Sequence, residues 1–544
     1  MKIFTVAEMV AAEKAADEAG VSYSQMMERA GRQVAEVVQR VYSLAQQQQI
    51  LILVGPGNNG GDGLVAGRYL SQMGAVVTIY MYRDRDVAED DNWRLVGEMG
   101  IETVLMGDDG QYEQLRRLVG EADIIIDALL GTGVSRPIEG EMARLLAVVG
   151  EGLGQRVPVA EGDNQIWVTA FDGKQLVEAG DEQRPAIVAV DCPSGLNCDT
   201  GALDSLALAA EVTVTFAGAK RGHFYFPGAK ACGQLVVVDI GIDNDLSVVQ
   251  AVPLEMATGA QMMAWAPTRP LDGHKGTFGK VIVIGGCQMY QGAPVLAALG
   301  ALRAGSGVVT VAGLPIIQRG LMIHLPEGVF LPLGEGAREG VLTEADGERV
   351  GEVLAKYTAV LVGPGLGEAD SFMRRLLASG EKERPWVVDA DGLNILGRMG
   401  DGWWEKLPAN SVLTPHPAEM GRLLGISLTA VLERERVDLA LAAAEAWGHV
   451  VVLKGANSVV AGPSGAAMLI PVATPALATA GSGDVLAGVI VSLMGQGLSS
   501  YEAACVGAYW HGVAGVRVGG RREARGVLAR EIADEVGREV GLKQ

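Results

Sequence analysis

Short apolar runs, each closing on glycine, asparagine or aspartate, recur along the chain and alternate with stretches of helical spacing. The first is Ile50 to Val54, ILILV, which enters GPGNNGGDGLVAGRYL over 55–70. Continuous apolar runs of this length, bounded by turn residues, predict strands buried on both faces, as in a parallel sheet. Val76 to Tyr82, Ala122 to Leu130 (ADIIIDALL) and Ala186 to Val190 repeat the pattern, the last running into DCPSGLNCDTG over 191–201. Ahead of them, 8–46 reads as two helices separated around Gly20–Val21, and the helix after the second strand ends near Gly100. IWVTAF (166–171) predicts an excursion strand within a polar, glycine-rich stretch at 150–185, to which no role is assigned. VTVTFAGAKRGHFYFPGAKACGQLVVVDIGI (212–242) supplies the last strands. Strand, glycine loop and helix in this order predict a Rossmann-like α/β layer.

Periodicity then fades and prolines gather over 243–276, which places a domain seam near 245–255. The same alternation restarts at Lys280 to Ile284, followed by the small-residue helix Gly292 to Ala304. Strands follow at Val308 to Val311, Ala359 to Val362 (entering GPGLG, 363–367) and Trp386 to Ala390 (ending in DADGLN, 389–394). SVLTPHPAEMGRLLG (411–425) reads as a strand-to-helix turn, and VVLKGANSVVAG (451–462) as a strand, a Lys454-Gly455 turn and a return strand. The expected fold class is α/β, with two domains spanning 1–245 and 255–544. A chain of 544 residues is too long for one core, which agrees with that division.

Composition changes the picture in two places. With 65 acidic against 44 basic residues the net charge is -21, which argues against nucleic acid or an anionic membrane as partner. The five cysteines (192, 198, 232, 287 and 505) lack metal-ligand spacing, and an odd, scattered set fits a reducing compartment. The N-terminal segment is broken by charges, without the apolar core of a signal peptide, and Val485 to Met494 is too short to span a bilayer. A cytoplasmic location follows as the expectation.

Candidate chemistry collects at the ends of the apolar runs. TAGSGD (479–484) leads into an apolar helix: Gly481 and Gly483 permit a tight turn at a helix start, where unpaired amides favour an anion, and Asp484 stands beside it. The bland alternative is a glycine turn capped by Ser482. Asn58, Asn59 and Asp62 put amides and a carboxylate into the first glycine loop, a set suited to a hard cation and polar ring substituents. Asp127 lies near a strand's C-terminal end, and Asp191, with Ser194 three residues on, lies just beyond another, so Asn59, Asp127 and Ser194 are expected to converge at the sheet's C-terminal edge. Arg136 in GTGVSRP (131–137) is available for phosphate; Lys220 faces either phosphate or solvent. His416 is either a helix cap or a ligand contact.

The motifs EMxxxE…MMERAG (8–31), GPGNNGGDG, DALLGTG (127–133) and DCPSG (191–195) resemble the NAD(P)HX epimerase family, the YjeF N-terminal domain, over about 1–245. The resemblance implies a three-layer α/β/α domain and epimerisation of hydrated NADH or NADPH (NADHX, NADPHX) at C6 of the nicotinamide ring. It makes Asn59, Asp127 and Ser194 potassium ligands and Asp191 the acid/base residue. Asn58, Asn59, Gly60, Gly61 and Asp62, with Gly131, Thr132, Gly133, Val134, Ser135, Arg136 and Pro137, would line the nucleotide. Cys192 replaces a common aliphatic residue and is expected to be a buried bystander.

GKVIVIGG, GPGLG, DADGLN, LTPHPAE, KGANSVV and GSGDVLAG resemble, over roughly 255–540, the ribokinase-like NAD(P)HX dehydratase family, whose AGTGD stands here as AGSGD. That likeness implies a second three-layer α/β/α domain and nucleoside-phosphate-dependent dehydration of the (6S) hydrate. It places the hydrate near Gly365, His416 and Asp484, and the donor near Lys454, Gly455, Ala456, Asn457, Ser458 and Gly483. Asp484 would activate the C6 hydroxyl while the 481–483 amides stabilise phosphoryl charge. Magnesium would accompany ADP or ATP, with ADP typical of fused prokaryotic relatives. Expected partners are small-molecule nucleotides and further copies of the chain as a homo-oligomer. A ribokinase-like small-molecule kinase and a nucleotide-binding scaffold are the rival readings; the first leaves 1–245 without a task, the second leaves Asp484 and the Asn58-Asn59 loop unexplained.

Overall fold

The computed structural model describes residues 1–540 apart from 45, 134–135, 155–167, 171–184, 335–339 and 523. The chain divides between Val252 and Pro253 into two compact units.

In the first unit the apolar runs form eight parallel strands. In spatial order they are β4 (Glu102–Leu105), β3 (Val76–Met81), β2 (Gln49–Val54), β5 (Ile124–Ala128), β7 (Ala186–Val190), β8 (Val212–Phe216), β10 (Gln234–Val238) and β6 (Val168–Ala170). A separate parallel pair joins β1 (Ile3–Phe4) to β9 (Ala219–Lys220). Alternation along β2 explains the layering. Ile50, Ile52 and Val54 pack with Met9, Val34 and Leu64 from the Val6–Glu18, Tyr23–Tyr42 and Asn58–Gln72 helices. Leu51 and Leu53 face the other way, onto Leu115 and Leu145 of the Glu113–Glu121 and Gly140–Gly152 helices. Both faces are therefore covered, which is why these strands read as unbroken apolar runs. From β2 the chain winds outward to β3 and β4, then returns to β5 on the other side. The crevice beyond the C-terminal ends of β2 and β5 is the position where such sheets bind ligands.

The second unit has ten strands in the order β11 (Leu254–Met256), β20 (Ala467–Leu469), β19 (Val459–Ala461), β18 (Val450–Leu453), β17 (Val412–Leu413), β16 (Trp386–Val388), β15 (Ala359–Val362), β12 (Lys280–Ile284), β13 (Val308–Gly313) and β14 (Val329–Pro332). Pairing is parallel except between β18, β19 and β20. The winding reverses between β12 and β15, so a second crevice opens there. The seam stretch 243–276 is more ordered than its fading periodicity suggests, since β11 adds to the sheet beside β20 and Gly259–Trp265 is helical. Three residues are too few for a period to show. The apolar Ser482–Gly495 helix is buried against the Ala293–Arg303 and Ser500–Arg522 helices. Close approach there requires glycine: a Cβ on Gly488 would stand 1.9 Å from the carbonyl oxygen of Ala297. Among the described residues no helix is long and apolar enough to cross a membrane.

Candidate active sites

The first crevice assembles from loops that follow strands. Asp127, at the end of β5, is fully buried and accepts from the Ser194 hydroxyl (2.6 Å) and amide (2.8 Å). The Leu130 amide donates to Ser194 Oγ (2.9 Å), and Asn59 Nδ2 donates to the Leu130 carbonyl (3.1 Å). Asn59, Asp127 and Ser194 are thus brought together around one backbone segment. Burial pushes the Asp127 carboxyl up, while the Ser194 and Leu129 hydrogen bonds pull it back. The donor set is hard oxygen with one formal negative charge, which fits a large monovalent cation better than a transition metal.

Asp191 follows β7 with φ 62°, a left-handed conformation that is strained for a residue other than glycine, asparagine or aspartate. Its Oδ1 accepts from Lys220 Nζ (2.5 Å) and Thr215 Oγ1 (2.9 Å). Lys220 is only 1 % exposed and also donates to Thr215 Oγ1 and the Phe216 carbonyl, so it meets neither solvent nor a free phosphate position. Burial alone would raise the Asp191 carboxyl, but the charge and hydrogen bond of Lys220 outweigh it and hold Asp191 below the usual range. Asp62 is pushed the opposite way: burial first, then the negative charges of Asp191 and Glu13, drive it well up. Two carboxyls displaced in opposite directions therefore act on one another here, the kind of arrangement that divides base from acid.

A cavity of about 870 Å³ opens beside Asp62, with Glu13, Met27, Asn58, Asp62, Arg85 and Phe216 among its walls, whereas Asn59, Asp127, Asp191 and Ser194 do not line it. Arg85 has no counterpart among the sequence-based candidates. Its Nη2 donates to the carbonyls of Gly55 (2.8 Å) and Gly57 (2.6 Å) and its Nη1 to Asp90 (2.6 Å), bracing the glycine loop from the next strand's end. Gly60 and Gly61 belong to the buried first turn of the Asn58–Gln72 helix. Gly131 lies against Asn59, Thr132 is half-buried, and Gly133, Arg136 and Pro137 are exposed. Val134 and Ser135 lie outside the described residues. Cys192 is buried beside Leu196, Cys198 and Cys232.

The second crevice centres on a buried ion cluster. Lys454, after β18, donates to Asp389 Oδ1 (2.7 Å) and stands 3.7 Å from Glu419 Oε2. Thr414 Oγ1 donates to the same Asp389 oxygen (2.7 Å). Burial opposes the Lys454 charge, yet the carboxylates of Asp389 and Glu419 hold it above its ordinary value. Gly483 is adjacent, since a Cβ there would lie 3.5 Å from Lys454 Nζ. Burial, then the negative charge of Asp389, pushes Asp484 up to about 7, with Lys454 opposing. A carboxyl poised near neutrality beside an ammonium is what a general base needs.

The glycine turn is not capped by Ser482. Gly481 is the N-cap, at φ 89°, without a side-chain cap bond. The Ser482 amide is spent on the Thr479 carbonyl (3.2 Å), and the amides of Gly483 and Asp484 find no partner among the described residues. The amides left open at this turn among the described residues are therefore those of 481, 483 and 484, with that of 482 spent. His416 caps the Pro417–Leu424 helix: its Nδ1 accepts from the amides of Ala418 and Glu419, and Glu419 accepts from the His416 amide (2.8 Å). That bond leaves Nε2 as the proton-bearing nitrogen on a half-exposed ring. Gly365 (φ 62°) packs against Tyr290 and Ala293 in the loop after β15. Gly455 to Ser458 turn under Arg436, which donates to the Ala456 carbonyl (2.7 Å), while Ser458 Oγ bonds back to Gly455 (2.9 Å) and Asn457 is buried. Asp389 and Glu419 were absent from the sequence-based candidates, although both sit inside motifs (DADGLN, LTPHPAE) at strand ends.

The bifunctional NAD(P)H-hydrate repair enzyme Nnr of Thermofilum pendens is 36 % identical over 520 residues, covering 95 % of this chain and 91 % of the relative. The chain belongs to the bifunctional NAD(P)H-hydrate repair enzyme family. A Moorella thermoacetica member is 35 % identical, covering 98 % of this chain and 96 % of its own. Family models match each crevice-bearing region: YjeF-related protein N-terminus over 23–222, and NAD(P)H-hydrate dehydratase over 281–538. Among solved structures, the ADP/ATP-dependent NAD(P)H-hydrate dehydratase from Bacillus subtilis, co-crystallised with ATP/Mg2+, is 26 % identical with a TM-score of 0.47, covering 54 % of this chain and all of that one.

Proposed function

We propose that the two crevices perform successive steps in repair of hydrated nicotinamide cofactors: the first interconverts the (6R) and (6S) hydrates of NADH and NADPH, and the second dehydrates the (6S) form. The observation that carries this reading is Asp484 in the first turn of the Ser482–Gly495 helix, where the Gly483 and Asp484 amides are unspent, Gly483 adjoins Lys454, and the Lys454 charge acts on the Asp484 carboxyl.

In the second crevice, Asp484 takes the C6 hydroxyl proton as that oxygen attacks the terminal phosphoryl of ADP or ATP. The Gly483 and Asp484 amides and Lys454 stabilise the charge on the transferring group. The ring nitrogen then pushes phosphate off C6, and the departing phosphate takes a proton from C5 to leave the double bond of NAD(P)H. Mg2+ would accompany the donor and neutralise its phosphates. ADP is the expected preferred donor, with AMP and phosphate as products.

In the first crevice, Asp191 takes the C6 hydroxyl proton as the C6–N1 bond breaks to a carbonyl, and Asp62, whose carboxyl is pushed toward its protonated form by burial and by its acidic neighbours, delivers a proton to N1. Closure on the other carbonyl face, with both protons returned, inverts C6. Asn59, Asp127 and Ser194 would hold K+, which supplies a fixed positive charge to the polar ring substituents. Raising K+ over a bulky organic cation should raise the melting temperature of the parent and not of Asp127→Ala; equal shifts in both proteins sink the site. Exposed Ile316, Met322, Ile323 and Val329 support self-association into a homo-oligomer, and five free thiols support a cytoplasmic setting.

The decisive experiment supplies mixed (6R) and (6S) NADHX with ADP or ATP and follows NADH absorbance. Absence of NADH with either donor rejects the assignment.

A further inference from the structure

Ser482 opens the Ser482–Gly495 helix, yet its hydroxyl does not turn onto the helix start. It is hydrogen-bonded instead, at 3.1 Å, to Nε2 of His511 on the Ser500–Arg522 helix. Both side chains are buried, at 5 % and 6 % exposure. A serine hydroxyl in a first helical turn has a competing local partner, the backbone amide two residues on. Here that amide belongs to Asp484 and finds no partner among the described residues. From this contact we propose that His511 is a positioning residue for phosphoryl transfer. It holds the Ser482 hydroxyl away from the helix start and so keeps the Gly483 and Asp484 amides available to the incoming phosphate.

Burial pushes the imidazole down to about 4, with the charge of Lys454 acting the same way and a hydrogen bond to the Ser482 backbone opposing. The ring is therefore neutral at working pH and keeps one nitrogen for the hydroxyl without adding a charge that would titrate. This role rests on the reading of the 483 and 484 amides as the phosphoryl site, and it adds a residue from a different helix that touches neither substrate nor donor.

The test is a double-mutant cycle in the full-length chain, measuring dehydration of (6S)-NADHX against ADP concentration, with melting temperature and epimerisation as controls. His511→Leu should lower kcat/KM for ADP by about tenfold, the worth of one hydrogen-bonding group withdrawn from the transition state. Ser482→Ala removes the competing hydroxyl and should stay within about threefold of the parent. Adding Ser482→Ala to His511→Leu should then recover most of the loss, and His511→Gln, which reaches the same hydroxyl, should behave like the parent. If the leucine variant does not fold, His511→Asn, too short to reach Ser482, takes its place in the cycle. A double variant no better than the single His511 variant, or a Ser482→Ala loss as large as that of His511→Leu, overturns the proposal. Asp484→Asn is assayed alongside. A parental rate there sinks the phosphoryl-site reading itself, whereas a slow Asp484→Asn with no rescue in the cycle sinks only the role of His511.

Discussion

Two carboxylates, Asp484 and Asp191, are displaced in opposite directions, and each can be tested alone. Asp484, pushed up to about 7 by burial and by Asp389, is protonated below neutrality and cannot accept a proton there. Dehydration should rise as pH increases through about 7 and then level off. Asp484→Asn should remove that limb and lower the rate by about 10²–10⁴-fold, while epimerisation continues. A parental pH profile in the variant would exclude Asp484 as the base. Asp191 presents the reverse case, because its ionised state depends on Lys220. Lys220→Met strands a buried carboxylate, which costs about 3–5 kcal/mol in comparable pairs and also lifts Asp191 out of the base form. Chemical denaturation of the first unit should show that loss, and Asp191→Asn added to Lys220→Met should recover part of it. A Lys220→Met protein as stable as the parent would mean that the pair contributes nothing.

Elements are specified partly by local pattern and partly by close approach. Gly488 faces the carbonyl of Ala297 across the packed Ser482–Gly495 and Ala293–Arg303 helices, so Gly488→Ala must force them apart. Overpacking of that kind costs about 1–3 kcal/mol. Gly320, inside the Pro315–His324 helix, meets nothing within 4 Å, and Gly320→Ala should add about 0.5–1 kcal/mol. Unfolding midpoints that move the same way in both variants would contradict the packing described. The same division decides what could be read from the chain. ILILV and its glycine loop were legible because β2 is covered on both faces, so burial wrote a continuous apolar run followed by a turn. Strand-end placement likewise drew Asn59, Asp127 and Ser194 together before any coordinates. Lys220 was not legible: its partner lies 29 residues away, and only the path from β8 to β9 turns its side chain inward. Asp389 is 65 residues from Lys454, and no local rule couples them. The Ser482 cap, the alternative that local chemistry offers, is not formed because a histidine on another helix takes the hydroxyl. Arg85 escaped notice because its bonds go to backbone carbonyls, which leave no trace in side-chain types.

At the scale of the whole molecule, each unit has its own sheet, its own winding reversal and its own set of polar groups at the strand ends. The groups proposed to move protons, Asp191 and Asp484, belong to different units, so defects should be separable and complementary. Given both hydrates and ADP, Asp191→Asn should convert only the (6S) share to NADH and leave the (6R) form behind. Asp484→Asn should make almost no NADH, yet bring pure (6R) hydrate to a mixture of both. Mixing the two variant proteins should restore full conversion, because (6S) hydrate released by one chain can be consumed by another. Chirally resolved chromatography of the residual hydrate, taken with NADH absorbance, reads all three outcomes. A mixture that still stops at the (6S) share would mean that the hydrate is not exchanged between chains, and two independent sites would no longer describe the protein.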